Sequence, residues 1–434
     1  MTLTYAHSSF AAGKAVSLAT GTALGPSGLV EGPHFFSGFV LDAEQCARGI
    51  LAVANVAATS YYTRVEWSSL DPVVTSDGER LRFESFSGCG GVYARFDLLP
   101  EALDGEGREL GTTNVDVNPP LRLALATIRS GEPLRLDVGD DEVVASTRTA
   151  SVTERKVKLP ERWIRGFGEA SVAAAAMRPV AEIGATEAQR FLRSLPRSGG
   201  GVRVVPSGRT LRITASPSSE TVYLDGAARL KELLPLLRFA RSLRVHGADG
   251  TGGTARASAW ELVLRDARLT LTLSPQLSRG FSGEGGVLFG LASGDGADAD
   301  AVLDHLAWTP GADLATLSFA LGWEEPRTVA ALTRLGTSGR IGYDTGDGRY
   351  FHRELPYDAE KAARRNPRLV GAQRLVDDGA VDWVAPDRAQ VRTGEHAQTV
   401  RRVGDAWACT CEWYQRYEGT RGPCKHVLAA ELTR

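Results

Sequence analysis

The stretch Asp405-Ala-Trp-Ala-Cys409-Thr-Cys411, followed after twelve residues by Cys424-Lys-His426-Val-Leu-Ala-Ala-Glu-Leu432, decides how this chain is read. Three thiols and an imidazole stand in two pairs, Cys-x-Cys and Cys-x-His. Zn2+ favours four such ligands in a tetrahedron. The first pair suits a knuckle at the end of a strand. The second suits the start of a helix, and Pro423 fits that entry. A helix N-terminus favours thiolate over thiol. The expected ligands are therefore Cys409, Cys411, Cys424 and His426, with Arg416, Arg421 and Lys425 offsetting the negative charge of the site. The competing reading makes the cysteines small buried residues and His426 a helix cap. The order of four ligands between strand and helix favours the metal.

Upstream, residues 297–356 read as three helices and a hairpin. Asp298 to Trp308 is the first helix. Asp313 to Leu321 is the second, capped by Asp313 and closed by Gly322. The third opens at Glu324-Glu-Pro326 and runs through Leu335. Strands follow at 340–344 and 349–353 about the turn Thr345-Gly-Asp-Gly348. This order looks like a winged helix-turn-helix, in which the third helix enters the major groove and the wing touches phosphates. On that reading Val329, Leu332 and Leu335 are buried, while Arg327, Thr328, Ala331 and Arg334 face away and Arg340, Arg349 and Arg353 surround the wing. Winged helices also dock proteins, and Glu324, Glu325, Asp344 and Asp347 oppose phosphate approach.

Residues 1–296 form an α+β region rich in antiparallel sheet. Alternating runs such as Arg80-Leu-Arg-Phe-Glu-Ser-Phe86, Val92-Tyr-Ala-Arg-Phe-Asp-Leu98 and Leu269-Thr-Leu-Thr-Leu273 predict hairpins. Helices are expected over Leu121–Ile128, Pro160–Met177 and Arg229–Leu243, the last with Leu230, Leu233, Leu234, Leu237 and Ala240 on one face. Hairpin followed by helix at 133–177 and at 202–243 suggests an internal repeat. The glycine runs at 88–91, 199–201, 250–253 and 283–286 read as turns. Gly13-Lys14 is followed by Ala15 and lacks the first glycine of a phosphate loop. A linker at 293–297 and a helical linker at 357–379 separate these parts from the tail at 380–434.

The 434 residues carry a formal net charge of −2, so nucleic-acid binding would need a local patch. Arginine supplies nearly all the positive charge, a pattern that suits phosphate or carboxylate recognition and that codon bias in a GC-rich genome explains as well. No run approaches a membrane span and no signal peptide is read at the start. Three of the five cysteines crowd into the tail, which resembles no disulfide framework and points to a cytoplasmic, reduced protein.

Cys-x-Cys-x12-Cys-x-His with the following Val427-Leu-Ala-Ala430 resembles the SWIM zinc finger, as do the strands at 390–392 and 399–403 and Trp413 between the ligand pairs. That resemblance implies a bound Zn2+ and contact with DNA or with proteins. The wider layout, through Thr63-Arg-Val-Glu-Trp-Ser-Ser-Leu-Asp-Pro72, Asn114-Val-Asp-Val-Asn-Pro-Pro120 and Leu159-Pro-Glu-Arg-Trp163, is similar to a bacterial family encoded near MoxR-type AAA ATPases and von Willebrand factor A-domain proteins. It implies an adaptor in such a system.

A catalytic reading lacks a nucleophile–base pair, and four protein ligands leave a zinc ion no open position. Asp140-Asp141 and Asp377-Asp378 lie beside turns, and His34, His246, His352 and His396 fall in no motif. The sequence thus supports two non-enzymatic readings: a DNA-binding protein using winged helix and finger, or a zinc-stabilised adaptor.

Overall fold

The computed structural model describes residues 34–434 except 63–71, 107–108, 140–141, 158, 160, 197–199, 217, 249–254, 282–287, 289–295, 307–309, 354, 356–365, 405 and 420, and four short strands between residues 10 and 30. The motif at 63–71, the glycine runs at 250–253 and 283–286, most of the 293–297 linker and the start of the 357–379 linker lie outside the described residues.

Alternation in the N-terminal region produces strands buried on both faces. Leu81 and Phe83, and Val92, Ala94, Phe96 and Leu98, enter the main core. The residues between them, Arg82, Glu84, Arg95 and Asp97, are buried on the opposite face. Eight antiparallel strands form one sheet in the order 110–114, 73–77, 81–86, 92–98, 267–273, 258–263, 242–247, 178–184. Its centre is the pairing of Val92–Leu98 with Ala267–Leu273, from Val92↔Leu273 to Ala267↔Leu98.

The topology repeats about that central pair. On each side three consecutive strands follow a helical element, Ala43–Ala58 on one side and Ala227–Phe239 on the other. Each helical element follows a strand, Phe36–Val40 or Val222–Leu224, that leaves to join a smaller sheet. The two edges of the large sheet are Leu110–Asn114 and Arg178–Gly184, each followed by a helix, Pro119–Thr127 or Ala185–Ser194, and then by a hairpin of a smaller sheet. The repeated unit is therefore strand–helix–strands. The hairpins at 134–147 and 202–214 occupy equivalent places, but the helices after them do not: Glu161–Ala175 packs on the opposite face of the large sheet, in a cluster with Phe86 and Tyr93.

The helical layer lies against the apolar face. Ala43–Ala58 approaches so closely that a Cβ at Gly49 would fall 2.2 Å from the Phe96 ring. The run Ala227–Phe239 is a 3-10 helix containing Pro235 rather than the expected α-helix. Three residues per turn line up Leu230, Leu233 and Leu236 as the buried stripe. Leu234, expected among them, is consequently exposed at 41%. Proline lacks the N–H that an α-helical bond at that position needs.

The segment after residue 296 comprises helices Gly296–Leu306, Leu314–Leu321 and Glu325–Thr337 and the hairpin Ile341–Asp344/Arg349–His352. Asp313 caps the second helix by accepting from Thr316 N at 2.7 Å, and Gly322 closes it at φ 66°. Val302, Leu306, Leu317, Leu332, Leu335 and Ile341 form its core. This unit is built onto the charged outer face of the large sheet. Asp344 accepts from Arg95 at 2.8 Å, Arg268 at 2.7 Å and Arg80 at 3.2 Å. Helix Glu325–Thr337 packs on helix Glu161–Ala175, where a Cβ at Gly168 would meet Gly336 O at 2.8 Å.

The tail residues build a further core, which also takes in Leu288. A four-stranded sheet, Val381–Ala385, Arg388–Thr393, His396–Val403 and Ala406–Cys409, carries helices Pro367–Asp377, Glu412–Tyr417 and Lys425–Leu432. Leu369, Ala372, Leu375, Val391, Val400, Val427 and Leu428 are buried together with the three tail cysteines. Helix Pro367–Asp377 belongs to this core and packs along helix Lys425–Leu432.

Candidate metal centre

Local structure sets each ligand in place. Cys409 ends the strand Ala406–Cys409, Cys411 caps the next helix and Cys424 caps the last one. The backbone N–H groups of Cys411, Tyr414 and Val427 donate to the sulfurs of Cys409, Cys411 and Cys424 at 3.5, 3.4 and 3.5 Å. His426 stands in the first turn of the last helix, with Nδ1 3.8 Å from Cys409 Sγ and 4.0 Å from Cys424 Sγ.

The four ligand atoms lie within 4.8 Å of one another and all four residues are buried. A tetrahedron with Zn–S bonds of about 2.3 Å has edges of about 3.8 Å. The cluster can therefore coordinate a metal ion, and the soft donor set fits Zn2+. Thr393 Oγ1 lies 2.9 Å from His426 Nε2. With Nε2–H donating to that hydroxyl, Nδ1 keeps its lone pair for the metal, an outer-shell arrangement that fixes ring and tautomer.

Without a metal the thiols hold charge unequally. A hydrogen bond with Cys409 keeps Cys411 well below the usual thiol range, and Cys409 is pushed far above it by its bonds with Cys411 and Cys424. The bond with Cys409 lowers Cys424, but Cys411 and burial raise it to about 11. A dication held by these four residues would replace the retained protons, so binding would release them and stabilise the fold. Four protein ligands would close the coordination sphere of a tetrahedral ion. The finger is a non-catalytic module, with no position for a substrate or an attacking water.

The other expected contact residues divide sharply. On the finger, Arg416 and Arg421 are exposed and Lys425 is half-buried. Arg416 lies 5.5 Å and Arg421 4.4 Å from the centre of the Tyr417 ring. In the upstream segment, Arg327 is exposed but makes two bonds to Asp298, at 2.6 and 2.8 Å, and lies over Trp323. Arg334 is half-buried. Arg340 pairs with Asp300 at 3.5 Å, and Arg349 is exposed.

Three expectations for that segment are corrected. Thr328 is fully buried, bonded to Ser318 at 2.9 Å, and Ala331 is buried beside it. Val329, expected inside, is 42% exposed. Arg353, expected at the wing, is fully buried and paired with Glu84 at 2.5 Å. The helix turns the expected groove face inward because that face packs against helix Leu314–Leu321 and, further along, helix Glu161–Ala175.

Sequence reasoning missed Thr393 and Arg368. Arg368 donates to the carbonyls of Arg421 at 2.7 Å and Pro423 at 2.9 Å, and its guanidinium lies 4.9 Å from the Trp413 ring centre. Only its place in the first turn of a proline-started helix could have marked it.

Residues 400–434 match the SWIM zinc finger family, and a finger of that type is present there. No curated protein matches the chain. Among solved structures it is similar to proliferating cellular nuclear antigen from Entamoeba histolytica. That likeness has 11% identity and a TM-score of 0.37 and covers 55% of this chain and 98% of that one.

Proposed function

We propose that the chain is a non-catalytic, zinc-stabilised nucleic-acid-binding protein whose contact surface is the finger. The observation that carries this reading is the placement of Arg416, Arg421 and Lys425 around the zinc knuckle, two of them exposed, on a chain whose overall charge is only −2. Long-range attraction is weak at that charge, so binding depends on a local patch. Zinc contributes by holding the loop between the ligand pairs in one conformation.

Gly296–His352 has the element order of a winged helix-turn-helix, and we read it as one. Its third helix and hairpin are spent on packing and ion pairs, so it serves as part of the scaffold. The unit that moves with the finger begins at the helix Pro367–Asp377.

Binding of the full, zinc-loaded chain to generic DNA across a salt series tests the proposal, because phosphate contacts give affinity a steep dependence on salt. Chelated protein is the control. Affinity that requires zinc and falls with salt supports the reading, whereas no binding at low salt removes it.

A second reading has its own support. Phe319, on helix Leu314–Leu321, is 90% exposed, and Val329 also faces solvent. Exposed apolar side chains of this kind suit a protein partner, as expected of an adaptor for an AAA ATPase or von Willebrand factor A-domain system. Loss of partner binding in Phe319→Ser would favour it.

A further inference from the structure

We infer that the finger takes single-stranded rather than duplex nucleic acid, on the face formed by Trp413 and Tyr417; this rests on the nucleic-acid reading above. The two residues lie one helical turn apart on Glu412–Tyr417, with ring centres 5.1 Å apart and planes tilted by 59°; both residues are half-buried, Trp413 packing on one side against the finger core. Guanidinium groups continue the array at both ends. Arg368 lies 4.9 Å from the centre of Trp413, and Arg421 lies 4.4 Å from that of Tyr417.

This array is rigidly held. Arg368 is anchored to two carbonyls of the zinc loop, at Arg421 and Pro423. Cys411, a metal ligand, caps the helix that carries both rings by accepting from Tyr414 N. A metal held by Cys411 would therefore fix the rings as well as the loop. Aromatic faces and guanidinium planes are the surfaces on which unpaired bases stack, and neighbouring cations track the phosphates. Arg416, Arg421 and Lys425 supply those cations, against Glu412 and Glu418 at the two ends of the helix.

Among the described residues of the finger and the helical segment, duplex recognition finds no equivalent element. Reading a major groove needs a helix that presents several side chains along one face. The helix Glu412–Tyr417 has six residues and an acidic residue at its start. Helix Glu325–Thr337 is long enough, but Thr328 and Ala331 on its expected groove face are buried. Bases in a duplex keep their faces stacked on one another and cannot reach the rings. Bases in a single strand can.

The test is competition between a mixed-sequence single-stranded oligonucleotide and its duplex of equal length for the full, zinc-loaded protein. The single strand should be preferred by about tenfold or more, in line with base stacking on aromatic rings. Trp413→Leu with Tyr417→Ser should remove the preference while zinc content stays at one per chain. Should that variant lose its zinc, photocrosslinking the wild-type protein to a 5-iodouridine-substituted strand decides instead. The adduct is expected on the peptide 412–421. Equal or tighter binding of duplex overturns the inference and leaves the nucleic-acid reading standing, and so do adducts confined to other peptides. Failure of both nucleic acids to bind at low salt overturns the two together.

Discussion

Arg353 and Glu84 stand 269 residues apart in the chain and meet at 2.5 Å with neither side chain exposed. Tyr93 adds its hydroxyl to the same carboxylate oxygen at 2.5 Å, and Phe167 lies 4.3 Å from the Arg353 guanidinium. This pair sits where the hairpin of the helical segment is joined to the large sheet. Removing one partner of a buried ion pair leaves a charge without compensation, at a cost of about 3–5 kcal/mol.

Arg353→Met should therefore lower stability by that amount, and adding Glu84→Gln should recover much of the loss. Urea unfolding of the two single variants and the double variant measures this coupling. Additive losses would contradict it.

Zinc removal should act locally. The tail has a separate small core that includes three of its ligands, so a chelator or Cys411→Ser should unfold residues from about 366 onward and leave the sheets intact. Limited proteolysis reads the outcome directly: clipping confined to the tail is expected, and collapse of the whole chain would contradict it. Metal analysis of the intact protein should give about one zinc per chain.

Acid should weaken the large sheet and the helical segment docked on it before it protonates most carboxylates. Burial, aided by Arg244 for His246 and Arg340 for His352, holds both histidines down at about 4. An unfolded histidine titrates near 6.5, so between about 6.5 and 4 the unfolded chain binds more protons. The neutral histidines thus contribute stability that is fully present above about 6.5 and lost as pH falls to about 4. Each contributes up to roughly 3 kcal/mol. Asp344 acts later: burial would raise it, but Arg95, Arg268, Arg82 and Arg80 hold it well below the usual carboxylate range. The melting temperature should drop between pH 7 and pH 4.5, and His246→Leu should flatten that drop by about one proton. An unchanged slope in the variant would contradict the assignment.

Arg327→Ala combined with Arg334→Ala should leave nucleic-acid affinity and its salt dependence unchanged. Arg327 is bonded to Asp298 at the surface, where such a pair contributes roughly 0–1 kcal/mol, so stability should also change little. Weaker binding in this double variant would return the contact surface to the third helix.

Features governed by neighbours in sequence were legible. The four ligands fall within eighteen residues and their spacing carries the chemistry. Asp313, Gly322 and the Leu81–Phe86 and Val92–Leu98 alternation likewise act within a few residues. Features decided at long range were not. Nothing local announces that Val92–Leu98 pairs with Ala267–Leu273, or that the polar half of each alternation is covered by a second layer. That cover is what turned Arg353 inward, whereas Thr328 is turned inward by helix Leu314–Leu321 of its own segment. A charged residue in a strand reads as solvated until the element that buries it is known. Pro235 was a visible signal for the 3-10 run, outweighed by a leucine pattern that fits either helix. Thr393 was invisible because its role depends on where the final helix places His426.

The central claim is that the finger binds the phosphates, and the salt dependence of binding tests it most directly. Affinity of the zinc-loaded wild type and of Arg416→Ala/Arg421→Ala for one single-stranded oligonucleotide is measured by fluorescence anisotropy between about 50 and 200 mM salt. Removing one arginine–phosphate pair should reduce the slope of log affinity against log salt by about 0.7 for a single strand, so the double variant should bind more weakly with a slope shallower by up to about 1.4. Equal slopes and equal affinities for the two proteins would contradict the account.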